Sequence, residues 1–586
     1  MSSLPQMPAA QVATQVVANR QFDSDTEHEF DVVVVGSGGG AMLAACRAAD
    51  NGMSVLVVEK CALYGGTTAI SGGGIWIPCN MLAQAAGADD SFEQALTYVR
   101  ACIGPDMSES RVRAYLQAGP RLVEYLHGKT QVRFVTLPEY ADYFQHQPAA
   151  KPGHRSLDPL PFDARRLGAD YAVQRPPLAA TLVAGKLSMT QTEARRILGK
   201  HPGWLKILAG IGLRYALDLR WRLQSKKDRR LTLGAALVAS LRKSMQDRKI
   251  PLWLNTPLQE LILEDGRVSG VVVMRDGKAT RIAARKGVIL GAGGFEWNQA
   301  MRDQYLPQPS RMEWSVTPPH ANTGDAIRAG QAVGADVGLM EQLWGVPAIQ
   351  IPGAPQTHPI FVERSLPGCL IVNARGQRFL NENLAYTEFV RTMYRRHADG
   401  DGTIPAWIIF DARFRRSYPC GPILPGSVMP DSRLPPALRE ILFCGDTLEQ
   451  LALKIGVDAD GLRASVERMN GAAATGVDTE FGKGDNVFDT YYGDINVKPN
   501  PCLAPLVEGP FYAMRLVPGD IGTKGGLLTD ADARVQRQDG SAIEGLYAIG
   551  NSSAAVMGTT YPGAGATIGP AMVFGMLAAD HIAATN

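Results

Sequence analysis

Apolar positions along the chain fall into short blocks, and each block predicts an element. Asp31 to Val35 is almost wholly apolar and β-branched, which predicts a buried strand of a parallel sheet. The alanine-rich run Ala41 to Asp50 predicts a helix, and Val55 to Val58 a second buried strand. Ser91 to Ile103 and Glu109 to His127 carry helical spacing. Leu261-Ile262-Leu263 and Val271-Val272-Val273 flank Glu264-Asp265-Gly266-Arg267, a hairpin signal. Lys286 to Gly294 predicts a buried strand ending on glycines, and Asn322 to Asp325 opens a helix. From about Leu343 to Gly519 prolines are frequent and the strand–helix rhythm is lost, apart from a helix at about Ala459 to Ala474. Gly545 to Gly550 then repeats the strand-then-glycine pattern, and an apolar helix closes the chain near Ala584.

The first strand, helix and second strand enclose Gly36-Ser37-Gly38-Gly39-Gly40-Ala41. Gly36 permits the tight turn, Gly38 lets backbone approach a pyrophosphate, and Ala41 allows close helix–strand packing. The helix start offers free N–H groups and the positive end of its dipole to the phosphates. Glu59 ends the second strand, roughly 20 residues past the glycines, where an acid holds both ribose hydroxyls. This order predicts dinucleotide binding. Two more glycine loops follow at once, Tyr64-Gly65-Gly66-Thr67-Thr68 and Ser71-Gly72-Gly73-Gly74, and suit a bulky flavin lying across the strand ends. FAD is therefore expected rather than NAD. The candidate cofactor residues are Gly36, Ser37, Gly38, Gly39, Gly40, Ala41, Glu59, Lys60, Gly65, Gly66, Thr67, Thr68, Ser71, Gly72, Gly73, Ala292, Gly293, Gly550, Asn551, Gly565 and Ile568. The last two belong to the start of the closing helix, whose positive end would stabilise an anionic reduced flavin.

The expected fold is α/β. A discontinuous Rossmann-like FAD-binding domain occupies 31–342 and 520–586, an inserted α+β substrate and catalytic domain 343–519, and a loose N-terminal arm 1–30. A net charge of +2 gives no reason to expect nucleic acid as a partner. Eight scattered cysteines without a C-x-x-C pair argue against a metal site and for a reducing compartment. The polar first 30 residues lack the apolar core of a secretion signal, and no apolar run is expected to span a bilayer, which reads as cytoplasmic.

Residues 186–232 change that picture. Trp204, Leu205, Ile207, Leu208, Ile211, Leu213, Tyr215, Leu217, Leu219, Trp221 and Leu223 alternate with Lys206, Arg214, Arg220 and Arg222, and Lys226, Lys227, Arg229 and Arg230 follow. An interfacial helix on the inner face of a membrane needs this mixture. A helix packed on its own domain or on a second subunit of an oligomer is the alternative.

The motifs VVVVGSGGGA, YGGTTAISGGGIW, VILGAGGFE, ANTGDAI, RFLNENLAY, GTKGGL, GLYAIGNSS and YPGAGATIG carry a resemblance across most of residues 31–586. In them the chain resembles the bacterial 3-ketosteroid Δ1-dehydrogenases, a branch of the fumarate reductase/succinate dehydrogenase-like flavoproteins. RFLNENLAY and YPGAG are the more specific. The resemblance implies loss of two hydrogens from the A ring of a 3-ketosteroid, the hydride from carbon 1 passing to flavin N5. It assigns Tyr561 and the Gly565 amide to the ketone oxygen, and Tyr386 to the carbon 2 proton. A third tyrosine is one of Tyr140 and Tyr143; spacing to Gly153-His154-Arg155 favours Tyr143. Electrons would leave to a quinone or another acceptor.

The chemistry also has its own logic. A phenol of pKa about 10 is a poor base at neutral pH, so Tyr386 needs a partner such as Tyr143 or a nearby positive field. Three rivals stand beside this reading: a 3-oxo-5α-steroid 4-dehydrogenase, a fumarate reductase-type enzyme, and a non-catalytic electron-transfer flavoprotein docked at a membrane. Thr560-Tyr561-Pro562 stands where the fumarate reductase branch carries an arginine-bearing segment, and a phenol suits a ketone better than two carboxylates.

No His or Cys lies within Tyr64 to Pro78, so FAD is expected to be non-covalent. Acid precipitation should release all yellow colour into the supernatant; colour kept on the protein contradicts this.

Overall fold

The computed structural model describes residues 28–585. The expected N-terminal arm lies outside these residues, except that 28–30 already belong to the first strand, His28–Val35. That strand pairs in parallel with Val55–Val58 on one side and Lys278–Leu290 on the other. Ala542–Ala548 adds in parallel to Lys278–Leu290, bringing the two ends of the chain into one sheet. The hairpin Leu258–Glu264 and Arg267–Arg275 extends this eight-stranded sheet in antiparallel fashion. Val32, Val33, Val34 and Val57 are fully buried, as strands covered on both faces require.

The helix Gly39–Asp50 packs on the closing helix Ile568–Thr585. A side-chain carbon on Gly40 would stand 2.6 Å from the Ala571 carbonyl oxygen, so glycine sets how closely the two approach. The closing helix is long and apolar enough to cross a membrane by length and composition, although Asp580 and His581 interrupt its apolar run. It is nevertheless a core element, with Met572, Val573, Ala578 and Ile582 buried between neighbouring helices.

The irregular middle of the chain folds as a six-stranded antiparallel sheet. Its long strand, Phe511–Thr523, pairs with Leu343–Ile349 through one half and Ala406–Phe410 through the other. The expected boundary at 519 therefore falls inside a strand. Helices Tyr386–Ala398 and Ala459–Thr475 pack beside it.

Residues 186–232 form three helices, Gln191–Leu198, Trp204–Leu217 and Leu219–Arg222. Only Ile211 is buried in Trp204–Leu217. Leu205, Leu213, Leu217, Leu219 and Leu223 are exposed, Leu223 by 89%. Lys206, Arg214, Arg220, Lys226 and Lys227 are exposed as well.

Candidate active site

One cavity of about 410 Å3 runs from the glycine loops at the parallel strand ends to the antiparallel sheet. Every candidate residue named above lines it except Gly65. The Gly65 amide donates to Ser37 Oγ at 3.0 Å, and a side chain there would meet Val238 at 2.9 Å. Gly65 thus packs behind the loop, against helix Leu233–Asp247, a correction to its expected role.

At the cofactor end, Gly36 has φ +102°, and a side chain on it would meet the Gly291 carbonyl oxygen at 2.4 Å. Gly38 precedes the helix without a capping side chain. A carbon added there finds only Thr68 Oγ1, at 3.7 Å, so the space a pyrophosphate needs is open. The Glu59 carboxylate accepts from Ser37 Oγ at 2.6 Å and the Cys61 amide at 2.8 Å, which fixes its orientation at the cavity wall. The Lys60 ammonium pairs with Asp325 at 2.7 Å and Thr323 at 2.6 Å. Arg175 was not evident from sequence; it lines the wall with its buried Nε unpartnered among the described residues. An open glycine cradle, an uncapped helix start and an orphaned cationic donor fit FAD.

At the other end Tyr143, Tyr386 and Tyr561 stand edge-on to one another. Their ring centroids are 5.9 Å apart for Tyr143–Tyr386, 5.3 Å for Tyr143–Tyr561 and 5.3 Å for Tyr386–Tyr561. Tyr140 meets Tyr143 at 6.5 Å and otherwise packs on Tyr491 and Tyr492. Phe361, Phe488 and Trp344 close the aromatic box against Tyr386, Tyr143 and Tyr561. Burial pushes the phenols of Tyr143 and Tyr386 well above their ordinary pKa.

The loop carrying Tyr561 is held from several sides. Its Pro562 carbonyl accepts from the Tyr143 amide at 2.9 Å and Tyr98 hydroxyl at 2.6 Å. Gly565, at φ +98°, lies so close to Ile75 that an added carbon would be 2.5 Å from its Cα. Its amide donates to the Tyr561 hydroxyl at 3.4 Å, which puts the two groups side by side at the cavity wall. Lys524, in the GTKGGL motif, is the residue sequence reasoning passed over. Fully buried, its Nζ donates to the carbonyls of Thr559 at 2.6 Å, Thr560 at 2.8 Å and Gly558 at 3.4 Å. Burial pulls its pKa down, while three carbonyl acceptors favour the charged form. The insert also reaches the cavity: Met189, Gln191, Ala194 and Leu198 form part of its wall.

Lys524→Met would strand these carbonyls, at about 1–3 kcal/mol for each buried group left unpaired. Hydrogen exchange at 558–566 should therefore quicken relative to the strand 28–35. Equal exchange in variant and wild type would remove Lys524 as the anchor of this loop.

Comparison with known proteins agrees with this layout. The FAD binding domain family matches residues 31–568. The 3-oxosteroid 1-dehydrogenase of Mycolicibacterium smegmatis is 43% identical over 571 residues, spanning 96% of this chain and 98% of its own. That of Comamonas testosteroni is 42% identical over 560 residues, or 94% and 95%. The crystal structure of 3-ketosteroid Δ1-dehydrogenase from Sterolibacterium denitrificans, in complex with 1,4-androstadiene-3,17-dione, is 53% identical. It superimposes with a TM-score of 0.93 over 95% of this chain and 100% of that one. The protein is thus a FAD-dependent oxidoreductase. At such identity over nearly the whole length, the chain belongs to the FAD-dependent 3-oxosteroid 1-dehydrogenase family.

Proposed function

We propose that the protein introduces a 1,2 double bond into the A ring of a 3-ketosteroid. The observation that carries this reading is the edge-on triangle of Tyr143, Tyr386 and Tyr561, with the Gly565 amide converging on the Tyr561 hydroxyl. The relative that holds 1,4-androstadiene-3,17-dione, at 53% identity, supports a steroid as substrate. A cavity walled by Leu137, Leu178, Leu198, Phe361 and Phe488 suits a ligand with few polar atoms.

Tyr561 and the Gly565 N–H donate to the ketone oxygen, where negative charge grows as carbon 2 loses its proton. Tyr386 takes that proton. Tyr143, against Tyr386 and Tyr561, orients the two phenols and shares the proton. Bound FAD supplies the hydride acceptor for carbon 1. Gly36, Gly38, Glu59 and Arg175 hold it without a covalent bond; no His or Cys is among the described residues of the cavity wall.

The exposed leucines and cations of 204–227 support docking on the inner, anionic face of a membrane, where a quinone can act as electron acceptor. Each cation near such a surface contributes about 1 kcal/mol. Replacing Leu213, Leu217, Leu219 and Leu223 by Ser should abolish co-sedimentation with anionic liposomes. Unchanged binding would leave the insert as a packing or oligomer surface.

Anaerobic mixing with androst-4-ene-3,17-dione should bleach the flavin and yield the 1,4-diene. No bleaching would point to an electron-transfer flavoprotein, and bleaching only by a 5α-reduced 3-ketosteroid to a 4-dehydrogenase. Tyr561→Phe removes a donor used in the transition state and should slow turnover about a hundred- to thousandfold. Tyr386→Phe should bind steroid yet lose both flavin reduction and solvent exchange of deuterium at carbon 2. Exchange at the wild-type rate would give the proton another acceptor.

A further inference from the structure

The geometry points to Arg364 as the positioning residue that makes Tyr386 a workable base: its guanidinium holds the turn that delivers Tyr386 and sets a positive charge beside the Tyr386–Tyr143 pair. The inference rests on the proposed role of Tyr386 in accepting the carbon 2 proton.

Arg364 sits in the short turn Glu363–Ser365, is only 2% exposed, and yet forms part of the cavity wall. Its Nη1 donates to the carbonyl of Leu384 at 2.6 Å and to that of Glu382. Nε donates to the Ile360 carbonyl at 3.3 Å. Helix Tyr386–Ala398 begins two residues beyond Leu384, and its N-cap, Ala385, has no side chain to cap it. The start of the helix is therefore tied down from the preceding turn. The guanidinium also lies 5.4 Å from the ring centroid of Phe389, one turn along from Tyr386 on the same helix face. Its position relative to the base is thus set twice.

Among the described residues no carboxylate is hydrogen-bonded to the guanidinium, although Glu363 and Asp489 act on it from nearby. Among the same residues Arg364 makes no ion pair, and Nη2 has no hydrogen-bond partner. The charged and titratable groups that face it are Glu363, Asp489, Tyr140, Tyr143 and Tyr386, with Tyr561 beyond Tyr386. The Glu363 carboxylate accepts from the Val362 amide at 3.1 Å. Asp489 accepts from Asn381 at 2.8 Å and from the Gly484 amide at 3.0 Å. Burial raises the pKa of both acids. The carboxylate of Glu382, whose carbonyl Arg364 engages, is turned to Arg378 at 2.8 Å and Lys483 at 3.7 Å. Burial lowers the pKa of Arg364 only to about 10, so it stays charged at neutral pH.

Burial alone drives the Tyr386 phenol away from ionisation, and a nearby cation opposes that drift. The sign is fixed: removing the cation must raise the pH at which Tyr386 gives up its proton. A nearby opposite charge typically moves a pKa by about 1–3 units.

The test compares holoenzymes of wild type, Arg364→Gln, Arg364→Lys and Tyr386→Phe. Flavin reduction in a single turnover and carbon 2 exchange are followed against pH, with steroid binding measured separately. Arg364→Gln should move the rising limb of both profiles up by about one pH unit or more, a tenfold or greater loss on that limb. Steroid affinity should change little. Arg364→Lys should keep the limb in place, because the charge remains, but lower its height, because one ammonium cannot replace the fork. A glutamine variant whose profile superimposes on wild type after scaling would reduce Arg364 to a structural clamp and overturn the inference. If the glutamine variant fails to hold FAD, the lysine variant decides: a displaced limb overturns the inference, and a lowered limb in place supports it. Tyr386→Phe separates the two levels. If it keeps exchange, the assignment of the base fails and this inference with it. If it abolishes exchange while Arg364→Gln leaves the limb unmoved, only the role of Arg364 fails.

Discussion

The strand Phe511–Thr523 and the buried pair on it fix where the two halves of the site meet. Asp520 and Arg302 are both fully buried and 2.7 Å apart. Asp520 also accepts from Ser315 Oγ at 2.7 Å, and Thr523 Oγ1 from the Phe295 amide at 3.1 Å. The whole strand belongs to the antiparallel sheet, and the side chain of its last residue is also bonded to the segment just beyond the cofactor loop Gly291–Gly293. Lys524, the next residue, anchors the loop of Tyr561. A buried pair of this kind is weak evidence for stability, because desolvation offsets its attraction. Its effect is geometric. Removing either partner leaves a bare buried charge, at about 3–5 kcal/mol, so the sheet has only one comfortable register against the cofactor domain.

The two tyrosine-bearing segments are secured in the same way. Lys524 binds the carbonyls of residues 558–560, just before Tyr561, and Arg364 binds those of 382 and 384, just before Tyr386. Among the described residues both side chains rest on backbone carbonyls rather than on a hydrogen-bonded carboxylate. In an aromatic, water-poor crevice a charge acts over a longer range than in water. The reaction proposed for this crevice builds negative charge on the ketone oxygen and on Tyr386. On the inference above, Arg364 is the cation that faces the charge on Tyr386, and it needs no rearrangement as that charge appears.

The parts of this arrangement legible in sequence are those written locally. The strand, glycine loop, helix and Glu59 follow one another within 30 residues, and helices such as Phe92–Ile103 show their spacing directly. The antiparallel sheet was not legible. Leu343–Ile349 and Ala406–Phe410 are buried at every position, so they lack the alternation that marks a strand, and the strand they share, Phe511–Thr523, lies over 100 residues away. Gly65 was misjudged because glycine content does not say which way a loop faces. Lys524 and Arg364 were passed over because backbone carbonyls leave no trace in side-chain patterns. Tyr386 rests on motif resemblance, since nothing local separates it from other tyrosines, whereas Tyr561 also stands out by its glycine-rich loop just before the closing helix.

The insert shows how far pattern and surface can diverge. Its mixture of leucines and cations fits a helix packed on the protein as well as one lying on a membrane. Exposure bears only on packing within this chain: Trp204–Leu217 buries only Ile211, which leaves its leucines to a membrane or to a second subunit. The same segment supplies Met189, Gln191, Ala194 and Leu198 to the cavity wall, and helix Gln191–Leu198 packs directly on Trp204–Leu217. An apolar surface thus continues into an apolar cavity through adjacent helices. For a sparingly soluble ligand, each apolar Å2 kept from water along that route retains about 25 cal/mol. A surface helix that rests on lipid and also backs the cavity wall would shorten the aqueous part of the path, which an insert remote from the site could not do.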